Sequence, residues 1–169
     1  YIGTWHAVIC RDPGRDWTNW GMYRLMIADA RHLTGLCEPY THQYDILKRV
    51  SAAQGKNMPV AIAIGMDPVC SMMSASRSFG RRNEVDLAGA VRQKPVEMVK
   101  CETNDLLVPA HTEIVLEGEM LLDKTVLEGP FGEYTGYRSD PRDLRYVYRI
   151  NAITYRNNPI LTMSCMGTP

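Results

Sequence analysis

The chain has 169 residues, 45% of them hydrophobic and 22% charged, with 19 Lys and Arg balanced by 19 Asp and Glu. The length fits one domain that needs neither disulfide nor metal merely to stay folded, and zero net charge excludes a binder of nucleic acid or membrane surfaces working by bulk electrostatics. No apolar run reaches the ~18 residues of a membrane span and no secretory start is present, so a cytoplasmic protein is expected.

The first predicted element is a strand over His6–Arg11, carried by Val8 and Ile9 and closed by the turn Asp12-Pro13-Gly14. Residues 22–28 and 31–36 read as a second strand and a shorter third. Residues 41–54 set Ile46, Leu47, Val50 and Ala53 at helical spacing and end at Gly55. The continuous apolar run 59–64 fits a strand buried on both faces. Asp67 and Pro68 supply an N-cap and an N1 proline for a helix to about Ser74. Asn83 is positioned to cap a third helix, Glu84–Arg92, with Leu87, Ala88 and Val91 as its apolar stripe. After Pro95 the runs 96–101, 113–122 and 146–156 are β in character, and Asn157-Asn158-Pro159 reads as a hairpin turn into a last strand at 160–164. Strands outnumber helices and the helices end by residue 92. The fold class expected is therefore α+β and strand-rich, a β-barrel or packed sheets with inserted helices rather than a doubly wound fold.

Five cysteines, Cys10, Cys37, Cys70, Cys101 and Cys165, contain no C-x-x-C and read as small buried hydrophobes in a reducing compartment. The chain opens at Tyr1 without Met and stops at Pro169 just after the apolar run 160–163, as expected of a piece of a longer protein.

The densest polar segment runs from Glu128 to Tyr137. Glu128 and Glu133 are separated by Gly129, Pro130, Phe131 and Gly132, a composition that forbids a regular helix and lets both carboxylates approach one spot. Carboxylates brought together push one pKa up, leaving an acid able to deliver a proton near neutrality. Read alone, the segment fits a solvated hairpin loop as well. In residues 17–24, Trp17, Trp20 and Tyr23 around Gly21 can line a flat apolar slot, and Arg24 can clamp a carboxylate or phosphate; ordinary strand entry explains the same composition. Ser74, Ser76 and Ser78 with Arg77, Arg81 and Arg82 form a hydroxyl-and-cation cluster compatible with a phosphate or a solvated face.

Taken in order, the segments N-W-G-M-Y-R, T-H-Q, G-M-D-P, N-E-V-D-L-A-G-A-V-R, V-E-M-V-K-C-E-T, V-P-A-H-T-E-I-V-L-E-G-E and L-E-G-P-F-G-E-Y-T-G-Y resemble the UbiD family of prenylated-flavin-dependent, reversible decarboxylases, from about residue 5 to residue 165. The resemblance is to the family's central cofactor-binding domain, a split or RIFT-like β-barrel, so that the whole of 1–169 would be one prenylated-FMN-binding domain without the N-terminal and C-terminal oligomerisation regions. It implies decarboxylation of an aromatic, heteroaromatic or α,β-unsaturated acid with release of CO₂.

By this resemblance, Glu133 protonates the substrate carbon, while Arg24 orients the substrate carboxylate and holds Glu128 ionised. Asn19, His42 and Glu84 fall on the ligands of Mn²⁺ (or Mg²⁺) at the flavin phosphate, a hard-donor set suited to such ions. K⁺ is assigned to Trp17, Met73, Ser74 and Glu84. Prenylated FMN would also contact Gly21, Met22, Tyr23, Arg24, Thr41 and Ser74. The resemblance further implies a flavin prenyltransferase as cofactor supplier, a homo-oligomer for the full-length protein, and negligible turnover by the isolated segment. Tyr134 and the polar segment 37–41 depart from the commoner family pattern, on the side that faces substrate. Two other readings stay open: a non-catalytic flavin-binding scaffold subunit of a multi-subunit carboxylase, and a flavin reductase-like barrel.

Overall fold

The structure, a computed structural model, describes residues 2, 5–76, 82–132, 136–138 and 142–163. In chain order it forms β1 (His6–Arg11), β2 (Thr18–Gly21), β3 (Leu25–Ile27), β4 (His32–Gly35), α1 (His42–Gln54), β5 (Met58–Ile64), α2 (Pro68–Ala75), α3 (Glu84–Arg92), β6 (Met98–Lys100), β7 (Leu107–Pro109), β8 (Ile114–Glu128) and β9 (Asp143–Tyr155). Seven strands make one antiparallel sheet in the order β2-β1-β5-β8-β9-β4-β3, and β6 pairs with β7 alone.

This order fixes the shape. The outermost strands β2 and β3 are joined by only Met22, Tyr23 and Arg24. In a flat sheet six strand spacings would hold them about 29 Å apart, whereas the four steps from Gly21 to Leu25 span at most about 14 Å. The sheet therefore curls until its edges approach, as a half-barrel. An antiparallel bridge from Ile2, just ahead of β1, to Leu25 of β3 spans the same gap.

Curling separates two cores. The inner one draws Val8, Leu33, Ile62, Leu116, Met120 and Tyr148 from the strands and Ile46, Leu47 and Val50 from α1. The outer one sets Ile9, Trp20, Ala61, Ala63 and Val115 against Cys70 of α2, Ala88 of α3 and Val108 of β7. Alternate residues of β1 and β5 go to opposite cores, which is why β5 reads as an unbroken apolar run. Cys10, Cys37, Cys70 and Cys101 are free and buried, and burial pushes the Cys37 and Cys101 thiols up to about 12. Among the described residues no helix is long and apolar enough to cross a membrane.

Helix α2 starts where its predicted cap places it, and α1 starts at His42, with Thr41 outside the helix as its cap. Thr41 Oγ1 accepts from Tyr44 N and Gly55 closes α1 in the left-handed region at φ 57°, while Asp67 accepts from Val69 N ahead of Pro68. Asn83 differs. Its side chain does not cap α3; Oδ1 accepts instead from Thr18 N at 2.8 Å. The next donors along the same edge, Trp20 N and Met22 N, are taken by Glu84 Oε2 at 2.8 Å and Ser74 O at 3.0 Å. An exposed strand edge is a row of unpaired groups, and here the end of α2 and the start of α3 replace the missing strand. Composition hid β2 for that reason: its edge is satisfied by side chains and a helix end.

Three further expectations are corrected. The strand expected over 22–28 begins only at Leu25, because 22–24 form the link. The strand expected to end at 122 continues to Glu128 through a register irregularity between Met120 and Thr125, where the polar residues Asp123 and Lys124 lie between paired positions and the ladder resumes beyond them. The short strand β7 has no strand signal in its composition, since it ends in Pro109. The turn at 157–159 does not return into a strand over 160–163: Arg156 N and Ile160 N donate to Glu113 O and Oε2, which ties the chain beside β8 instead; residue 164 lies outside the described residues.

Replacing Asn83 by Ala should cost about 1–2 kcal/mol in urea unfolding, with the loss of hydrogen-exchange protection falling on Thr18 rather than on the first turn of α3. Deprotection of α3 with Thr18 unchanged contradicts the edge-capping role.

Candidate active site

Residues 17–24 are the hub on which the candidate residues converge. Asn19, Gly21, Met22, Tyr23 and Arg24 lie within it; His42 packs edge-on against Trp17 with ring centroids 5.0 Å apart; Ser74 and Glu84 bond its backbone as described. Thr41 adjoins it only through His42. Asn19 is 2% exposed, and its Nδ2 donates to Tyr23 Oη at 3.4 Å beside Cys10 Sγ at 3.9 Å. A Cβ at Gly21 would run into the tip of the Tyr23 ring, so a side chain there would displace that ring from Asn19. The aromatic slot does not form as expected. Trp17 and Trp20 are three residues apart on an extended segment and go to opposite cores.

Arg24 leaves the link toward the end of β8. Its Nε and Nη2 both donate to Glu128 Oε2, at 3.3 and 3.0 Å, and its guanidinium lies 4.4 Å over the Phe131 ring. The Glu128 side chain is 1% exposed against 34% for Arg24. Its second oxygen, Oε1, is buried with no hydrogen-bond partner among the described residues. The Gly129–Pro130 peptide bond is cis, and Gly129 has φ 92°, in the positive region that suits glycine. Burial pushes Glu128 above the ordinary carboxylate range, and Arg24 and Arg145 pull it back without cancelling the rise. The Arg24 contact favours the ionised carboxylate and desolvation opposes it. Glu133 and Tyr134 lie outside the described residues, as do Arg77, Ser78 and Arg81 of the hydroxyl-and-cation cluster.

Among the described residues, no three His, Cys, Asp or Glu side chains gather closely enough to hold a metal ion. The trio Asn19, His42 and Glu84 offers one amide, one imidazole and one carboxylate around the hub. Such a set fits a hard cation when further oxygens, as from a phosphate, complete the shell. Of the residues assigned to K⁺, Trp17 O accepts from Asp12 N, Met73 O from Ser76 N, and Ser74 Oγ donates to Cys70 O.

Two residues had no signal in the sequence. His6 is fully buried, and Nε2 lies 2.6 Å from Tyr23 O. A carbonyl only accepts, so Nε2 carries the proton and the ring pins the link one residue before Arg24. Burial lowers the His6 pKa and keeps the ring neutral. Arg145 of β9 brings Nε to 3.8 Å from Glu128 Oε2. A lone His in an apolar run and an Arg seventeen residues from its Glu form no motif; folding alone brings them in.

A family profile described as UbiD: 3-octaprenyl-4-hydroxybenzoate carboxy-lyase Rift-related domain matches residues 1–169. The chain is 37% identical over 169 residues to a pyrrole-2-carboxylic acid decarboxylase of Pseudomonas aeruginosa, covering 100% of this chain and 34% of that protein. It is 38% identical over 172 residues to ferulic acid decarboxylase 1 of Saccharomyces cerevisiae, covering 99% and 34%. An evolved dimeric form of the UbiD-class enzyme HmfF from Pelotomaculum thermopropionicum, solved with prFMN, superposes with a TM-score of 0.87 at 34% identity over 95% of this chain and 36% of that one. The chain therefore spans about a third of the length of the curated relatives it matches.

The raised pKa of Glu128 has a consequence for stability. The folded chain keeps this proton in a pH window where the unfolded chain has lost it, so stability falls as pH rises from the ordinary carboxylate range through the raised value. Thermal unfolding of Glu128→Gln, which cannot titrate, should gain on the wild type as pH rises from about 4 to 7. A gap that moves in the wild type's favour over that range contradicts the assignment.

Proposed function

The chain belongs to the UbiD family, and from that premise we propose that the protein carrying it catalyses reversible, non-oxidative decarboxylation of an aromatic, heteroaromatic or α,β-unsaturated carboxylic acid with prenylated FMN. The observation that carries this reading is the Arg24–Glu128 pair, which holds a partly exposed guanidinium against a buried carboxylate at the start of the E-G-P-F-G-E segment. The names of the two relatives, decarboxylases of pyrrole-2-carboxylic and ferulic acids, support the substrate class.

Loss of CO₂ from an sp² carbon would strand an anion too unstable to form, and prenylated FMN, when bound, supplies the electron sink that avoids it. This chain's residues then bind, orient and protonate. Arg24 presents its N–H groups to the substrate carboxylate from over the face of the Phe131 ring. Glu133, five residues beyond Glu128, delivers the proton to the carbon that loses CO₂. Gly21, Met22, Tyr23, Arg24, Thr41 and Ser74 would contact the flavin and its phosphate, with Asn19, His42 and Glu84 on Mn²⁺ or Mg²⁺ and Trp17, Met73, Ser74 and Glu84 on K⁺. A flavin prenyltransferase supplies the cofactor, and the whole protein assembles as a homo-oligomer in the cytoplasm.

The test is the protein co-expressed with a flavin prenyltransferase and assayed in D₂O against aryl, heteroaryl and propenoic acids. Mass spectrometry should find prenylated FMN, and product should carry deuterium at the former carboxyl carbon. Glu133→Gln should retain flavin and metal and lose at least ~10² in rate. Unchanged turnover in that variant removes Glu133 as the acid, and a protein that oxidises NADH but releases no CO₂ overturns the reading in favour of a reductase.

A further inference from the structure

Glu128 sits among more positive charge than Arg24 supplies. The β8–β9 register pairs Glu128 with Asp143 and Val126 with Arg145, which makes Arg145 the diagonal neighbour of Glu128 on the same face, within reach of a long side chain. Arg145 Nε lies 3.8 Å from Oε2, the same oxygen that Arg24 occupies, and it is buried without a hydrogen bond. Its Nη1 is anchored on Asp143 Oδ2 at 2.8 Å, so the guanidinium is held in place short of contact. The charged groups that face Glu128 are Arg24 from the link and Arg145 and Asp143 from β9; Glu133 lies outside the described residues.

Arg24 has two demands on it. Its Nε and Nη2 are both spent on Oε2, and it is also the partly exposed group that meets a substrate carboxylate. Turning toward an anion would strip Glu128 of both hydrogen bonds, and a carboxylate left buried without a partner is costly. Arg145 Nε needs to close by less than about 1 Å to make a normal hydrogen bond.

We infer that Arg145 is a positioning residue for Glu128, taking over its carboxylate when Arg24 engages an anionic ligand, so that two guanidiniums serve one buried glutamate in turn. This rests on the reading of Arg24 as the carboxylate clamp.

The experiment follows Glu128 protonation in the whole protein by infrared pH titration, its carboxylic acid band identified by loss in Glu128→Gln, with and without saturating benzoate. In the wild type benzoate should leave the midpoint nearly unchanged. In Arg145→Gln it should raise the midpoint by one pH unit or more, a tenfold change in proton affinity, with a smaller rise when benzoate is absent; Arg145→Lys should recover part of the wild-type behaviour. Equal midpoints in wild type and Arg145→Gln with benzoate overturn the inference, as does a rise that is the same with and without it. Should Arg145→Gln fail to fold, Asp143→Asn releases Nη1 and should lower the midpoint with benzoate; no change there also overturns it. The titration needs no turnover. A benzoate effect abolished by Arg24→Gln in a protein that decarboxylates nothing would sink the functional reading and leave this inference standing, whereas benzoate binding indifferent to Arg24→Gln overturns the inference itself.

Discussion

Met22, Tyr23 and Arg24 cross from one edge of a seven-stranded sheet to the other, and most of the structure follows from how short that crossing is. A link of three residues leaves the sheet no choice but to curl. Curling creates an interior for α1 to fill and an exterior for α2, α3 and the small β6–β7 pair to cover. The link is itself held on both sides, by Ser74 O at Met22 N and by His6 at Tyr23 O. Arg24 thus leaves a backbone fixed at its two preceding residues, and its guanidinium reaches Glu128, 104 residues away in sequence, with defined geometry.

The same construction explains why the site stores strain of an electrostatic kind. Among the described residues, Glu128 gives up hydration and receives hydrogen bonds on one oxygen only. Burial wins over the Arg24 contact, so the carboxylate is held at a cost to folding that a neutral residue would avoid. Sites that bind or do chemistry are where such costs are expected, because the groups are arranged for a ligand rather than for the empty fold. Phe131 adds a cation–π contact to the same guanidinium, 4.4 Å from its ring centroid.

What could be read from the sequence depended on whether the deciding contacts were local. The cap at Asp67, the helix stop at Gly55 and the apolar run of β5 are governed by neighbours within a few residues, and they are legible in the sequence. The strand β2 was not, because its outer edge is completed by Asn83, Glu84 and Ser74 from distant helices. The Asn83 prediction failed for the complementary reason: the side chain suited to cap its own helix was taken by a strand. At the site, Glu128 and Arg24 were named from motif resemblance, and no spacing rule links them. His6 and Arg145 were missed because only the curl and the β8–β9 register bring them to the link and to Glu128.

The central claim is that the link delivers Arg24 to a buried Glu128 as a true energetic partner, and a double-mutant cycle on unfolding free energy tests it most directly. Arg24→Gln should be strongly destabilising in the wild-type background, where it abandons a buried carboxylate, and nearly silent alongside Glu128→Gln, giving a coupling of about 1–3 kcal/mol. A coupling within about 0.3 kcal/mol of zero would mean that the two residues merely lie side by side, and the account of the site would fail.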